Sequence, residues 1–229
     1  MTICCARLSK RQRRPAILMP DRRPLRELFS QRSIEGLPIA EFLSAQKIAP
    51  LAFNQHPLGF VHVALGREND YAFRLHVWPD LARYEQQPYW PLHNHKFDLI
   101  SRVLAGSLTN REYKVEQTCE RTPYQLYDVA YRIGSSIMSR SEVRVNVEAC
   151  GLEHLTAPSV YSIRAGTFHD TRVPLNVFTA TLVVTRNSLQ DGDVKTVGDA
   201  GGQLQYEYIR SEITPKEKEA IIDRLGGLL

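Results

Sequence analysis

Apolar and polar residues alternate along much of the chain between residues 58 and 186. FVHVAL (60–65) and YAFRLHVW (71–78) switch between apolar and polar side chains at roughly every second position, and GREND (66–70) lies between them. Alternation of this kind is typical of half-buried β-strands, and a short polar segment between two such runs is typical of a turn. The segment therefore predicts a β-hairpin.

Further strand-like runs continue to about residue 186, and no helical period of convincing length interrupts them. They are rich in Val, Ile, Thr and Tyr, which favour strands. In chain order these runs are LISRVLAG, SLTNREYKV, YQLYDVAYRI, EVRVNVEA, SVYSIRAG and NVFTATLVVTR. Many strands separated by turn signals predict an all-β fold, either an antiparallel sandwich or a barrel.

The two ends of the chain have helical patterns. Apolar residues at helical spacing predict two short helices between Arg22 and Lys47, and TPKE (214–217) is a capping box that opens a closing helix through Leu225. The Gly/Asp-rich segment 187–204 is interpreted as a loop. We therefore divide the chain into a flexible basic tail (1–20), a helical segment (21–57), a β-barrel (58–186), and a loop with a helix that packs on the barrel (187–229).

Composition and charge narrow the class of protein. Hydrophobic residues make up 43% of the chain and charged residues 24%, enough apolar surface for a core, and the net charge is +4. The basic residues concentrate in 7–15 and 21–24, which we interpret as a solvated lead-in, so nucleic acid is not expected as a partner. No apolar run is long enough to span a membrane, and the four cysteines lack C-x-x-C spacing. We expect a cytoplasmic protein with reduced thiols.

The stretch PLHNHKFD (91–98) is the first candidate for chemistry. Residues two apart on a strand point to the same side, so the rings of His93 and His95 can converge on one metal ion. A polar strand face that meets solvent is the alternative on spacing alone. The letters H-N-H do not indicate a nuclease, because that motif spreads its histidines over a longer ββα segment.

Two separated patterns resemble the cupin superfamily. The first is a His-x-His pair with a glycine eleven residues after the second histidine, and the second is a later Gly-x-x-His; here they are His93, His95, Gly106, Gly166 and His169. The resemblance covers roughly residues 58–186. It implies a cupin-type double-stranded β-helix, a jelly-roll barrel, with His93, His95 and His169 as metal ligands.

The chain departs from the usual cupin pattern at the fourth ligand. Leu99 and Ile100 occupy the two positions where a ligand glutamate is expected, and Asp98 comes just before them. In one model of the site a bulge or turn brings Asp98 inward as a carboxylate ligand. In the other the three histidines bind alone, which resembles the three-His iron sites of thiol dioxygenases, and Asp98 accepts a hydrogen bond from a ligand histidine or lies exposed.

The resemblance implies a metal-dependent enzyme that acts on a small molecule. A non-heme iron oxygenase, that is, a dioxygenase-type oxidoreductase, is the first interpretation, with Fe(II) favoured and zinc, nickel, manganese or copper as alternatives. A cupin isomerase, decarboxylase or lyase that uses its metal as a Lewis acid is the second, and a non-catalytic metal- or ligand-binding cupin is the third. A homodimer is compatible with all three, because cupin barrels often pair through their sheets.

Five side chains near the two motifs are candidates for substrate binding, because an arginine fork binds carboxylates and a tyrosine offers a polar tip. They are Arg102, Arg111, Tyr113, Tyr161 and Arg164. The remaining histidines have no paired spacing and are interpreted as structural; they are His56, His62, His76 and His154.

Overall fold

Two antiparallel β-sheets form the body of the protein. The computed structural model describes residues 43–68, 70–187 and 194–228, so the predictions for the basic tail and for most of the N-terminal helical segment lie outside the described residues. The helices are α1 (Ala45–Ile48) and α2 (Pro215–Gly226). The strands are β1 (Phe53–Gln55), β2 (Val61–Glu68), β3 (Tyr71–Trp78), β4 (Phe97–Ala105), β5 (Ser107–Gln117), β6 (Tyr124–Arg132), β7 (Ser135–Thr156), β8 (Val160–Ile163), β9 (Phe168–Arg172), β10 (Thr179–Asn187), β11 (Lys195–Asp199) and β12 (Gln205–Ile209).

The first sheet has the strand order β1-β2-β3-β10-β4-β8. The predicted hairpin is β2 and β3, which pair with His62 opposite His76, and a bulge at Gly66 allows β2 to continue to Glu68. Because side chains alternate along a strand, one face of this hairpin carries Val63 and Leu75 into a fully buried core cluster. The other face carries the two histidines toward the second sheet.

The second sheet has the strand order β11-β6-β7-β5-β9, and β12 pairs with β7. Its two outer strands meet at one residue, because the backbone of His93 forms bridges to His169 of β9 and to Thr196 of β11. The strand content and the antiparallel pairing confirm the all-β prediction. The two facing sheets are the layers expected of a cupin-type barrel.

Two secondary-structure predictions were wrong. Strand β1 lies in the segment predicted to be helical, and β11 lies in the segment interpreted as a loop. Both strands are short, at three and five residues, so neither carries enough alternation to be recognised. Strand β1 is held in place by pairing with the next strand, β2, and β11 is held by pairing with the distant strand β6. The sheets therefore extend to Ile209 rather than ending near residue 186.

The closing helix is confirmed. Both bonds of the capping box are present: the backbone N–H of Glu217 donates to Oγ1 of Thr214 at 3.3 Å, and the backbone N–H of Thr214 donates to Oε2 of Glu217 at 2.8 Å. Ile221 and Leu225 of α2 are buried in the same core cluster as the β2–β3 hairpin. Within the ranges that the structure describes, no helix combines the length and the apolar character needed to cross a membrane.

Candidate metal centre

Three histidines from the two cupin-like motifs come together between the sheets. Ring centroids are 4.7 Å apart for His93 and His95, 4.6 Å for His93 and His169, and 5.0 Å for His95 and His169. One ring nitrogen from each lies within 4.8 Å of the others, and His169 is buried. The arrangement could hold a single metal ion.

Backbone hydrogen bonds fix the positions of these histidines. His93 and His169 lie directly opposite each other: the N–H of His93 donates to the carbonyl of His169 at 3.1 Å, and the N–H of His169 donates to the carbonyl of His93 at 2.9 Å. The N–H of Gly166 donates to the carbonyl of His95 at 2.7 Å. The backbone of the first motif is thus hydrogen-bonded to the backbone of the second. Replacing one of the imidazoles does not remove these backbone hydrogen bonds.

Two of the imidazoles are oriented for metal binding by backbone carbonyls. Nδ1 of His93 donates to the carbonyl of Pro91 at 2.7 Å, and Nδ1 of His169 donates to the carbonyl of Thr167 at 3.3 Å. Because a carbonyl only accepts, Nδ1 carries the proton in both rings and Nε2 keeps a free lone pair. Nδ1 of His95 is buried and has no hydrogen-bond partner within the described part of the chain. A metal ion would bind the Nε2 lone pairs of His93 and His169. A carbonyl bonded to the other ring nitrogen is the usual way in which a ligand histidine is oriented.

Burial keeps the three imidazoles neutral. Desolvation lowers the pKa of His169 to about 3, and it also lowers the pKa of His93 and, further, that of His95 below the ordinary histidine value. The neighbouring imidazoles of the group add to this effect at His95 and His169. A neutral imidazole is the form that binds a metal. The donor set therefore fits a divalent ion at neutral pH.

Asp98 does not belong to this group. It is the second residue of β4, and the regular alternation there places it on the opposite face from Phe97 and Leu99, which line the cavity described below. Its Oδ1 accepts the backbone N–H of Ala165 at 3.0 Å, and its Oδ2 pairs with Arg186 at 3.5 Å. No bulge in β4 turns Asp98 toward the cavity, so its carboxylate does not lie where a metal ligand is expected. Asp98 instead anchors the turn between β8 and β9.

The position of Asp98 predicts that its replacement leaves metal binding intact. Asp98→Asn retains an acceptor for the Ala165 N–H. It should lower the free energy of unfolding by at most about 1 kcal/mol, since only the partly exposed ion pair with Arg186 is lost. Asp98→Ala leaves that N–H without its acceptor and should cost about 1–2 kcal/mol in the free energy of unfolding. Both proteins are expected to bind as much metal per chain as the wild type, measured by elemental analysis. Loss of the metal in both would make Asp98 a ligand.

The three histidines lie on the wall of a cavity of about 420 Å³ between the two sheets. Both sheets contribute to its lining, with His62 and His76 from the first and Tyr131 and His169 from the second. The volume lies at the lower end of the range for small-molecule sites. The cavity therefore gives a small ligand direct access to the candidate metal centre.

Among the five predicted substrate-binding residues, the structure brings only Tyr161 to this cavity. The described lining residues do not include Arg102, Arg111, Tyr113 or Arg164. Arg102 is separated from the cavity-lining Leu99 by an odd number of positions on β4 and faces the other way. Tyr113 donates its hydroxyl to Asp170 at 2.8 Å, and Arg111 is paired with the same Asp170 in the register of β5 and β9.

Reasoning from the sequence missed several cavity residues. Arg74, His76 and Trp78 alternate with buried Leu75 and Val77 on β3, so the polar face of that strand lines the cavity. The pattern R-L-H-V-W could have indicated this, because a strand that buries one face on a core has its other face free for a site. His56 and His62, interpreted as structural, also line the cavity. Arg210 and Tyr131 carry no local signal.

We name His56, His62 and His76 the inner histidine group. The ring of His56 stacks on Phe60 at 4.1 Å, and His62 and His76 lie 5.6 Å apart across β2 and β3. Desolvation is the largest cause that lowers the pKa of all three, followed by neighbouring cations and imidazoles, and it brings the pKa of His62 to about 4. The group is therefore neutral in the folded protein at neutral pH.

Because the pKa values of the inner histidine group are lowered, we expect acidification to destabilise the metal-free protein. A histidine with a folded pKa of about 4 takes up its proton more readily in the unfolded chain, where the value is 6.5. Stability is therefore fully present above pH 6.5 and is lost as the pH falls toward 4, by about 2 kcal/mol per such histidine at pH 5. Urea unfolding at pH 7 and pH 5 measures this loss. Between pH 7 and pH 5, the free energy of unfolding of His62→Gln should fall by about 2 kcal/mol less than that of the wild type. His154→Gln changes an exposed histidine and should lose as much stability as the wild type.

The chain is similar to solved structures over part of its length. No family model matches the chain, and no curated protein matches it. The chain is similar to a solved structure, that of the DMSP lyase DddQ from Ruegeria pomeroyi DSS-3, with 16% sequence identity and a TM-score of 0.32. The match covers 63% of this chain and 54% of that chain, about half of its length.

Proposed function

We propose that this chain is a mononuclear metal-dependent enzyme of the cupin type. His93, His95 and His169 would hold one divalent ion, and the substrate would be a small molecule in the adjoining cavity. The observation that carries the proposal is the convergence of three neutral imidazoles on the wall of a cavity large enough for a ligand. Three protein ligands leave coordination positions open, as a catalytic rather than a structural site requires.

Iron is the metal that we favour. An all-imidazole donor set suits iron, copper, nickel and zinc. None of the described carboxylates belongs to the group, which supports the three-His alternative over a site with Asp98. A divalent ion held there would supply Lewis-acid activation, and Fe(II) would add the redox chemistry of a dioxygenase-type oxidoreductase. The carbonyls of Pro91 and Thr167 would keep two of the imidazoles oriented through the reaction.

A lyase or related Lewis-acid enzyme is the second candidate. It is favoured by Tyr161, whose phenol lines the cavity with the three histidines. Burial raises the pKa of Tyr161 above its ordinary value, so the phenol keeps its proton at neutral pH and could donate it to a leaving group. This chemistry needs no oxidant and would run with zinc, nickel or manganese.

Oxygen consumption separates the two candidates. Protein loaded with Fe(II) under argon is mixed with oxygenated buffer and a panel of small acids and thiols, and uptake of oxygen is recorded with an electrode. The oxygenase proposal expects uptake with at least one compound, and none from zinc-loaded protein or from the His93→Ala/His95→Ala double variant. A product formed equally well under argon would favour the lyase. If the wild type fails to bind any divalent metal, both candidates fall.

A further inference from the structure

The cavity beside the three histidines has an unbalanced charge. Among its described lining residues there is no Asp or Glu, whereas Arg67, Arg74, Lys96 and Arg210 supply cations. The chain as a whole is nearly balanced, with 29 Lys and Arg against 25 Asp and Glu. This concentration of one sign in a concave site therefore needs a local explanation, and a bound anion is the usual one.

Arg74 lies on the cavity face of β3, and none of the carboxylates that the structure describes compensates its charge. It is half-buried, its guanidinium lies 4.8 Å above the ring of Phe97, and none of the described acidic side chains forms a salt bridge with it. Burial lowers its pKa, and Arg67 adds to that effect. A partly desolvated cation with no partner costs stability, so a ligand is the natural partner of this side chain.

Arg210 approaches the same part of the cavity from the end of β12. Its backbone N–H donates to the carbonyl of Gly134 at 2.8 Å, and its guanidinium lies 5.4 Å from the ring centroid of Tyr131. Its Nε is buried and has no hydrogen-bond partner among the described residues. Arg74 and Arg210 line the same cavity as His62, and the charge of each arginine helps to lower the pKa of that histidine.

The cationic region lies next to the candidate metal centre. Phe97, which contacts the guanidinium of Arg74, also stacks with the ring of His95 at 4.7 Å. Buried apolar side chains of Leu99, Ile163 and Val183 line the cavity beside it. A small molecule with one anionic end and an apolar body would contact both arginines and reach the three histidines.

We propose that the substrate is a small organic carboxylate whose carboxylate group binds Arg74 and Arg210. A guanidinium binds a carboxylate through paired N–H donors, which gives orientation as well as affinity. A phosphate is disfavoured, because the described lining includes no glycine-rich turn whose backbone N–H groups could cradle it. That the carboxylate is a substrate, and not only a ligand, rests on the proposed function.

Calorimetry on metal-free protein tests this site without any turnover. The probes are benzoate, its neutral analogue benzamide, and phenyl phosphate, titrated into the wild type and into Arg74→Gln, Arg210→Gln and Arg144→Gln. Arg144 is exposed on β7 and outside the cavity lining, so its variant is the matched control. We expect benzoate to bind the wild type about 10- to 100-fold more tightly than benzamide, as charge-assisted hydrogen bonds provide.

The variants distinguish a binding role from a structural one. Arg74→Gln and Arg210→Gln should weaken benzoate about 10-fold or more and leave benzamide unchanged, and Arg144→Gln should bind benzoate like the wild type. Arg74→Gln should keep or raise the melting temperature, because it removes an uncompensated cation, whereas an arginine kept for stability would lower it.

Several results would overturn the inference. These are equal binding of benzoate and benzamide, no binding of benzoate to the wild type, tighter binding of phenyl phosphate than of benzoate, or unchanged benzoate affinity in Arg74→Gln. The outcome is independent of the metal proposal, since the titrations use metal-free protein throughout. If the protein bound benzoate but no metal, the carboxylate-binding site would be supported and only the proposed metal-dependent catalysis would be rejected.

Discussion

Replacement of His169 by alanine is expected to abolish metal binding while the fold remains. The side chain is 3% exposed and supplies one of the three converging ring nitrogens. Loss of an outer-shell partner already weakens a metal site by about 10- to 100-fold, so loss of a ligand should weaken it by at least about 100-fold. Elemental analysis after anaerobic incubation with Fe(II) should find about one ion per chain in the wild type and almost none in His169→Ala.

Two features make this result interpretable. The bonds that pair His93 with His169 are backbone bonds, so alanine keeps them and the circular dichroism spectrum should match that of the wild type. His154→Ala is the matched control, because His154 is exposed and bonded to Thr109 outside the cavity. It should retain the full amount of metal. Equal metal content in His169→Ala and the wild type would contradict the assignment of His169.

Gly106→Ala is expected to lower stability more than alanine at any other glycine with a positive φ that the structure describes. Gly106 has φ +72°, and a Cβ there would overlap Oγ1 of Thr179 and the carbonyl oxygen of Phe178. Thr179 is fully buried, and its hydroxyl is bonded to the backbone of Ser107, so it cannot move aside without losing those bonds. The free energy of unfolding should fall by about 3–5 kcal/mol.

Gly134→Ala separates the two causes of that loss. Gly134 has φ +74°, almost the same backbone conformation, but nothing lies within 4 Å of a Cβ built there. Only the left-handed conformation is then penalised, at about 1–2 kcal/mol. Urea unfolding of the two variants should show the difference, and equal losses would mean that the contact with Thr179 and Phe178 is unimportant.

The residues that could be predicted from the sequence are those with local signals. Alternation on β2, β3 and β4 indicated strands, and the fixed spacing around His93, His95 and His169 indicated that they converge. The structure adds the cause, which is the direct backbone pairing of residues 93 and 169. It also explains the glycine at position 106, since the turn into β5 passes too close to Thr179 for any side chain.

The residues that could not be predicted depend on contacts between distant parts of the chain. Arg210 reaches the cavity because β12 pairs with β7, and no sequence pattern near residue 210 predicts that pairing. Strand β11 is held by β6 and by the segment around His93, although its own five residues end in Gly-Asp and read as a turn. Asp98 comes one residue before the two positions expected of a carboxylate ligand, and strand alternation places it on the face of β4 opposite Phe97 and Leu99.

We propose that three imidazoles, and no carboxylate, hold one metal ion in the cavity. X-ray absorption at the iron edge of the Fe(II)-loaded wild type tests it most directly, because scattering from the imidazole rings counts the histidine ligands. We expect about three imidazoles per iron in the wild type, and about two in His93→Ala if any iron remains bound. An iron bound mainly by oxygen ligands, or no iron retained by the wild type, would contradict it.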